Sequence, residues 1–135
     1  MHSVLISLAS NYEQEKNLSE ARKALAQILF SPVYTPAIWT EPYGKKDSNL
    51  YLNQLVSAQT DLDSNELNNR LKETEKARGR DDEARRQGIV PIDLDLLQHD
   101  ECRFHQRDWQ RSYVQQLLLQ LPTSDFRKKG ERLAD

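Results

Sequence analysis

Apolar residues occur in short runs of two different periods along the chain. Ser3 to Ala9 (SVLISLA) is continuous and rich in strand formers, which predicts a buried strand. Ser10-Asn11-Tyr12 breaks it. From Leu18 the period changes, and Leu18, Ala21, Leu25 and Ile28 share one face of a helix. Asn17 with Glu20 three residues on has the spacing of a capping box, and Pro32 is the expected stop. Val33 to Thr40 predicts a second strand. Pro36 inside it lacks an N–H for the ladder, which places that strand at an edge or a bulge. Residues 41–47 (EPYGKKD) read as a loop. Asn49 to Thr60 predicts a third strand, with Leu50, Leu52, Leu55 and Val56 as its apolar content. Asp63 and Glu66 repeat the capping spacing, and Leu67, Leu71 and Thr74 carry a helix to Gly79. Asp81 to Val90 is densely charged and reads as a loop. Ile92 to Leu97 predicts the fourth strand. Trp109, Tyr113, Leu117 and Leu121 recur every four residues and predict a last helix ending at Pro122. The order β-α-β-β-α-β-α predicts an α+β fold, a ferredoxin-like sandwich with an additional C-terminal helix. Residues 1–123 make the single expected domain, and 124–135 form a polar tail with the composition of a disordered segment.

With 135 residues the chain is long enough for one real core. Its net charge of −2 argues against a general nucleic-acid surface, although a basic cluster runs from Arg78 to Arg86. Cys102 is the single cysteine, which excludes an internal disulfide framework and a multi-cysteine zinc site. No apolar stretch is long enough to span a membrane, and no basic-then-apolar leader opens the chain. A cytoplasmic monomer with no membrane or nucleic-acid partner is the expectation.

Asp93 and Asp95 carry the most informative chemistry. Side chains alternate along a strand, so both carboxylates share one face while Ile92, Leu94 and Leu96 take the other. Like charges at that spacing call for a positive partner, and Mg2+, which prefers carboxylate oxygens and also holds phosphates, fits. The competing reading is a strand whose outer face is simply acidic. Arg80, Arg85 and Arg86 lie in the segment that leads into this strand, and guanidinium groups bind phosphate oxygens bidentately. Such a segment can cover a nucleotide triphosphate, or it can be a solvated charge run. Tyr51 and Asn53 share a strand face and suit a flat heterocycle, the ring by stacking and the amide by edge hydrogen bonds. Tyr51 as plain cross-strand packing is the alternative. His105 is a phosphate ligand, a proton donor or a plain surface histidine. His2 and His99 offer nothing specific, and a zinc site from His99, Cys102 and His105 lacks a fourth ligand.

These pieces in this order resemble the 6-hydroxymethyl-7,8-dihydropterin pyrophosphokinase family of folate biosynthesis. Leu8-Ala9-Ser10-Asn11 resembles the family's opening A-L-G-S-N, and Tyr51-Leu52-Asn53 its F/Y-L-N. Ile92-Asp93-Leu94-Asp95-Leu96-Leu97 resembles L-D-L-D-I-L, the most specific motif. Asp63 to Arg80, with Glu66-Leu67 and Glu75, is similar to the second helix, and His105, Arg111 and Tyr113 match the spacing near the C-terminus. The resemblance implies transfer of the pyrophosphoryl group of ATP to the pterin's hydroxymethyl group. It implies Asp93 and Asp95 as ligands of two Mg2+ ions and, with Arg80, as the catalytic residues. Tyr51 and Tyr113 would sandwich the pterin, with Asn53, Thr40 and Tyr43 lining its pocket. Glu75, Arg80, His105 and Arg111 would lie on the ATP side. The sequence departs from the family in the segment before the acidic strand. Asp82 stands at an arginine position, Gln87 at a tryptophan, and Ile89-Val90 at Pro-Arg. Ala9 stands where a glycine is usual, and the stretch from Asp95 to His105 is shortened, consistent with loss of a peripheral hairpin. Weakened turnover is therefore expected. A homologue that binds pterin or nucleotide without catalysis is the alternative.

Overall fold

The computed structural model describes residues 1–42, 49–122 and 132–133. Its centre is β1 (His2–Ser10), hydrogen-bonded antiparallel to β4 (Tyr51–Thr60) on one side and to β5 (Asp93–His99) on the other. Beyond β4 lie β2 (Phe30–Tyr34) and β3 (Ile38–Thr40), both antiparallel to it. The strand predicted over Val33 to Thr40 is thus two short edge strands. Pro36 falls in the break between them, and the β2 register shifts between Phe30 and Val33, next to Ser31 in the left-handed region. On the far side β5 turns through Asp100 into β6 (Cys102–Arg103), which keeps a hairpin where the shortened sequence implied its loss. The parallel partner of β6 is β7 (Arg132–Leu133), and the rest of the expected tail lies outside the described residues.

Alternation along these strands divides the core in two. One face is Val4, Ile6 and Leu8 of β1, Leu52, Val56 and Ala58 of β4, and Leu94 and Leu96 of β5, joined by Ile92 just before it. It is covered by α1 (Gln14–Leu25) through Leu18, Ala21 and Leu25, and by α2 (Ser64–Ala77) through Leu67 and Leu71. The sheet-plus-two-helices frame is the expected ferredoxin-like sandwich. The second face carries Leu5, Leu55 and Leu97, packed against Trp109, Val114, Leu117, Leu118 and Leu121. These come from α4 (Gln106–Trp109), α5 (Ser112–Leu118) and the residues after it. The single final helix expected from the four-residue spacing is two helices, because Arg111 adopts extended backbone between them. Its apolar residues still share one core.

Two helix ends differ instructively. Asp63 caps α2 as predicted: its carboxylate accepts from Glu66 N at 2.8 Å while Glu66 Oε1 accepts from Asp63 N at 3.1 Å. Asn17 does not cap α1, which begins three residues earlier after Glu13 in left-handed backbone. Its buried amide instead donates to Tyr12 O at 2.7 Å and accepts from Arg78 Nη2 at 3.1 Å, tying α1 to the end of α2. Nor does Pro32 end α1. The helix stops at Leu25, a short turn follows, and Pro32 lies within β2.

Candidate functional site

The covering helices α4 and α5 leave part of the second sheet face open. Strand register decides what lies there. Ala9 of β1 is opposite Asn53 on β4 and Asp93 on β5, and Asn53 is in turn opposite Ile38. One row along, Ser7 lies between Leu55 and Asp95. Thr40 pairs with Tyr51 at the end of β4. Small residues on the central strand therefore separate an aromatic-and-amide side from an acidic side. The cavity above them has a volume of about 320 Å³. Thr40, Tyr51, Asn53, Arg80, Asp93, Arg111 and Tyr113 all line it. Tyr43 lies outside the described residues.

Asn53 is nearly inaccessible and firmly oriented. Its Nδ2 donates to Thr40 Oγ1 at 2.8 Å and to Ile38 O at 3.2 Å. No hydrogen bond reaches its Oδ1 among the described residues, so that atom remains an acceptor for a ligand N–H. Burial pushes the Tyr51 hydroxyl up in pKa, and the nearby Asp93 carboxylate adds to this against the pull of Arg80.

The acidic side is a charge network. Arg80 Nη1 donates to Asp93 Oδ1 at 2.8 Å and lies 3.1 Å from Glu75 Oε2. Burial works against the guanidinium charge, but the bond to Asp93 and the charges of Asp93, Glu75 and Asp95 outweigh it and hold its pKa above the usual value. Lys72 reaches Glu75 Oε2 at 3.3 Å and Asp95 Oδ1 at 3.8 Å. Glu75 is buried and accepts from Leu94 N at 2.8 Å, so it braces β5 from below and does not line the cavity. Asp95 lies one step deeper than Asp93. Burial, the Asp93 charge next to it and a hydrogen bond with that side chain raise its carboxyl to about 7, against the attraction of Lys72. Two carboxyls whose charges repel at this spacing are a site for a divalent cation, because a cation relieves that repulsion. The donor set thus fits Mg2+.

His105 lies across from Asp95, Nε2 to Oδ1 at 3.9 Å, on left-handed backbone before α4. It lines a second, more open cleft of about 540 Å³ with Phe104, Arg107, Asp108 and Arg111. Asp108 and Arg111 border both spaces, and Arg111 Nε donates to Asp108 Oδ1 at 3.0 Å. The structure therefore gathers the candidates into one region, with Tyr51, Asn53 and Tyr113 at the cavity and His105 and Arg111 at the adjoining cleft.

The segment read as a charged loop contains a helix, α3 (Asp82–Arg86). Asp81 caps it by accepting from Ala84 N at 2.8 Å. Its acids lie in the first turn and its arginines in the last, the order a helix dipole favours. Arg85 lines the cavity, whereas Arg86 does not and pairs with Glu83. After α3 the chain is held by Asn11, to which sequence reasoning gave no role. Asn11 Nδ2 donates to Gly88 O at 3.0 Å, and its Oδ1 accepts from Val90 N at 2.6 Å. Its backbone N–H adds a bond to Val90 O at 3.0 Å. Asp108 was missed as well, because nothing in its local sequence distinguishes it from a surface acid.

A family model described as 7,8-dihydro-6-hydroxymethylpterin-pyrophosphokinase matches residues 5–129. The chain is also 31% identical over 128 residues to an Arabidopsis thaliana protein named folate synthesis bifunctional protein, covering 87% of this chain and 26% of that one. It thus spans about a quarter of the length of that curated relative. The match runs from the first strand to beyond the last helix, over a sheet face built as described, and the chain belongs to the 7,8-dihydro-6-hydroxymethylpterin pyrophosphokinase family.

Proposed function

We propose that this protein transfers the pyrophosphoryl group of MgATP to 6-hydroxymethyl-7,8-dihydropterin, as a step of folate biosynthesis. The observation that carries the reading is the row structure of the open sheet face. Asn53 is separated from Asp93 only by Ala9 of β1, Asp95 lies one row along beside Ser7, and Tyr51 lines the same cavity from the end of β4, so a heterocycle on one side can present its hydroxymethyl group to phosphates on the other. Asn53 Oδ1 would accept from the donor edge of the pterin, with Thr40 fixing the amide, and Tyr51 and Tyr113 would hold its faces. Asp93 and Asp95 would hold two Mg2+ ions with ATP, which neutralise phosphate charge as it moves. His105 and Arg111 would contact the nucleotide phosphates from the adjoining cleft.

Arg80 holds Asp93 while lining the cavity. Arg85 is the side chain at hand for the arginines absent at 82 and 90. It is also paired with Asp82 at 3.6 Å, although both side chains are more than 80% exposed and that pair is weak. Turnover is therefore low but measurable. The test is AMP release by purified protein given MgATP and the pterin. Absence of AMP while calorimetry shows both ligands binding would identify a non-catalytic homologue, and absence of pterin binding would reject the site.

A further inference from the structure

At the end of β1 remote from the cavity, three side chains converge that the sequence leaves unconnected. His2 begins β1, His99 ends β5, and Asp100 opens the turn to β6. His2 Nδ1 lies 2.7 Å from Asp100 Oδ2, and His99 Nδ1 lies 3.9 Å from the same oxygen. The two imidazole rings are 4.5 Å apart between centroids. One ligand atom from each residue falls within 4.8 Å of the others. We propose that His2, His99 and Asp100 form a second divalent-metal site, selective for Zn2+-class ions and separate from the Mg2+ chemistry of the cavity.

The donors are already set for it. A backbone carbonyl only accepts, so the 3.0 Å contact of His99 Nε2 with Leu62 O fixes the N–H on Nε2 and leaves the Nδ1 lone pair toward Asp100. An imidazole whose far nitrogen donates to a carbonyl is the usual arrangement of a metal-ligating histidine. Asp100 Oδ1 is held by Ser3 N at 2.9 Å, which leaves Oδ2 for the histidines. The Asp100 backbone is fixed too: its N–H donates to Ser3 O at 2.7 Å, its carbonyl accepts from Gln98 Nε2 at 2.7 Å, and its φ is 52°. His99 is 9% exposed, so one ligand is nearly inaccessible and two face solvent. Without metal, His2 Nδ1–H donates to the carboxylate. A metal takes that proton's position, with ligands at about 2.0–2.2 Å. Two imidazoles and one carboxylate suit Zn2+ better than Mg2+, which prefers all-oxygen shells. The site lies five residues along β1 from Ser7, roughly 17 Å at strand rise, and would staple the start of β1 to the β5–β6 turn.

The experiment is calorimetric titration of the untagged, EDTA-stripped full chain with Zn2+ alone, repeated on His2→Gln, Asp100→Asn and the double variant Asp93→Asn/Asp95→Asn. Asp100 and His2 have exposed side chains, and circular dichroism checks that each variant is folded. Wild type should bind one equivalent saturably, with at least tenfold loss in His2→Gln and Asp100→Asn and no loss in the double variant. Co2+ should give the visible absorption of a low-coordinate site in wild type and not in His2→Gln. Absence of saturable binding, binding that survives His2→Gln, or loss in the double variant overturns the proposal.

Discussion

Asp95→Asn should stabilise the metal-free protein while abolishing its proposed activity. The Asp95 carboxyl sits at about 7 instead of 3.8, first because it is buried and then because Asp93 is beside it. Its folded pKa lies above its unfolded one, so the folded state holds the extra proton between roughly pH 4 and 7. Stability from this group is therefore fully present below about pH 4 and is lost as pH rises to 7. At ~1.4 kcal/mol per pH unit the loss approaches about 4 kcal/mol. Asparagine keeps the shape and cannot ionise. It gives up the attraction of Lys72, so the net gain at pH 8 is about 2–4 kcal/mol, or on the order of 6–15 °C in Tm for a domain of this size. Thermal denaturation in EDTA from pH 4 to 8 measures it. The two proteins should converge near pH 4 and diverge upward, and Mg2+ with ATP should narrow the gap by stabilising only the wild type. A variant no more stable than wild type at pH 8, or a gap independent of pH, would refute the reasoning.

Val90→Arg, alone or with Asp82→Arg, should raise turnover about tenfold or more, mainly in kcat, because a guanidinium at the cavity wall meets charge that develops during transfer; steady-state AMP release separates kcat from KM. Asn11→Ala should cost about 1–3 kcal/mol in urea denaturation, since Val90 N loses its side-chain acceptor, and hydrogen exchange at Val90 should speed up. Tyr113→Ala and Asn53→Ala should each weaken pterin binding by calorimetry. Asn53→Ala should also loosen β3, because the Thr40 and Ile38 contacts go with it.

The parts of the fold legible in the sequence are those governed by period and by short-range capping. The alternation in β1 and β5 assigned faces correctly, so that Leu94 and Leu96 are buried on one side and Asp93 and Asp95 lie on the other. Asp63–Glu66 formed its capping box because both partners lie within one turn. Asn17–Glu20 had the same spacing and failed, because a tertiary partner, Arg78, claims the Asn17 amide. The charged segment after Gly79 concealed α3 because high charge suggests a loop, although Asp81 as a cap with acids before arginines was the available signal. The helix break at Arg111 was not legible, because the apolar spacing continues through it while the Arg111 backbone is extended. The convergence of His2, His99 and Asp100 depends on strand register across 97 residues of sequence separation, which no local pattern encodes.

The altered segment before β5 raises a question of how it stays placed without the family's arginine and tryptophan. Asn11 answers it. Both the N–H and the carbonyl of Val90 are bonded to Asn11, at 2.6 and 3.0 Å, and Gly88 O takes the other half of the same amide. Asn11 is itself 1% exposed, and its carbonyl accepts from Asn49 Nδ2 at 3.0 Å. Residues 88–90 are thus positioned by main-chain contacts to the end of β1, whatever side chain stands at 89 or 90. Gly88 follows α3 at a φ of 71°, a conformation that L side chains rarely adopt, and so turns the chain into this clamp. Substitution at 82, 87, 89 and 90 can then change the charge presented to a triphosphate without moving the backbone that carries it. The geometry of the cavity wall thus persists through Asn11 and Gly88, while its electrostatic contribution to the proposed reaction is set by the side chains at 82, 87, 89 and 90.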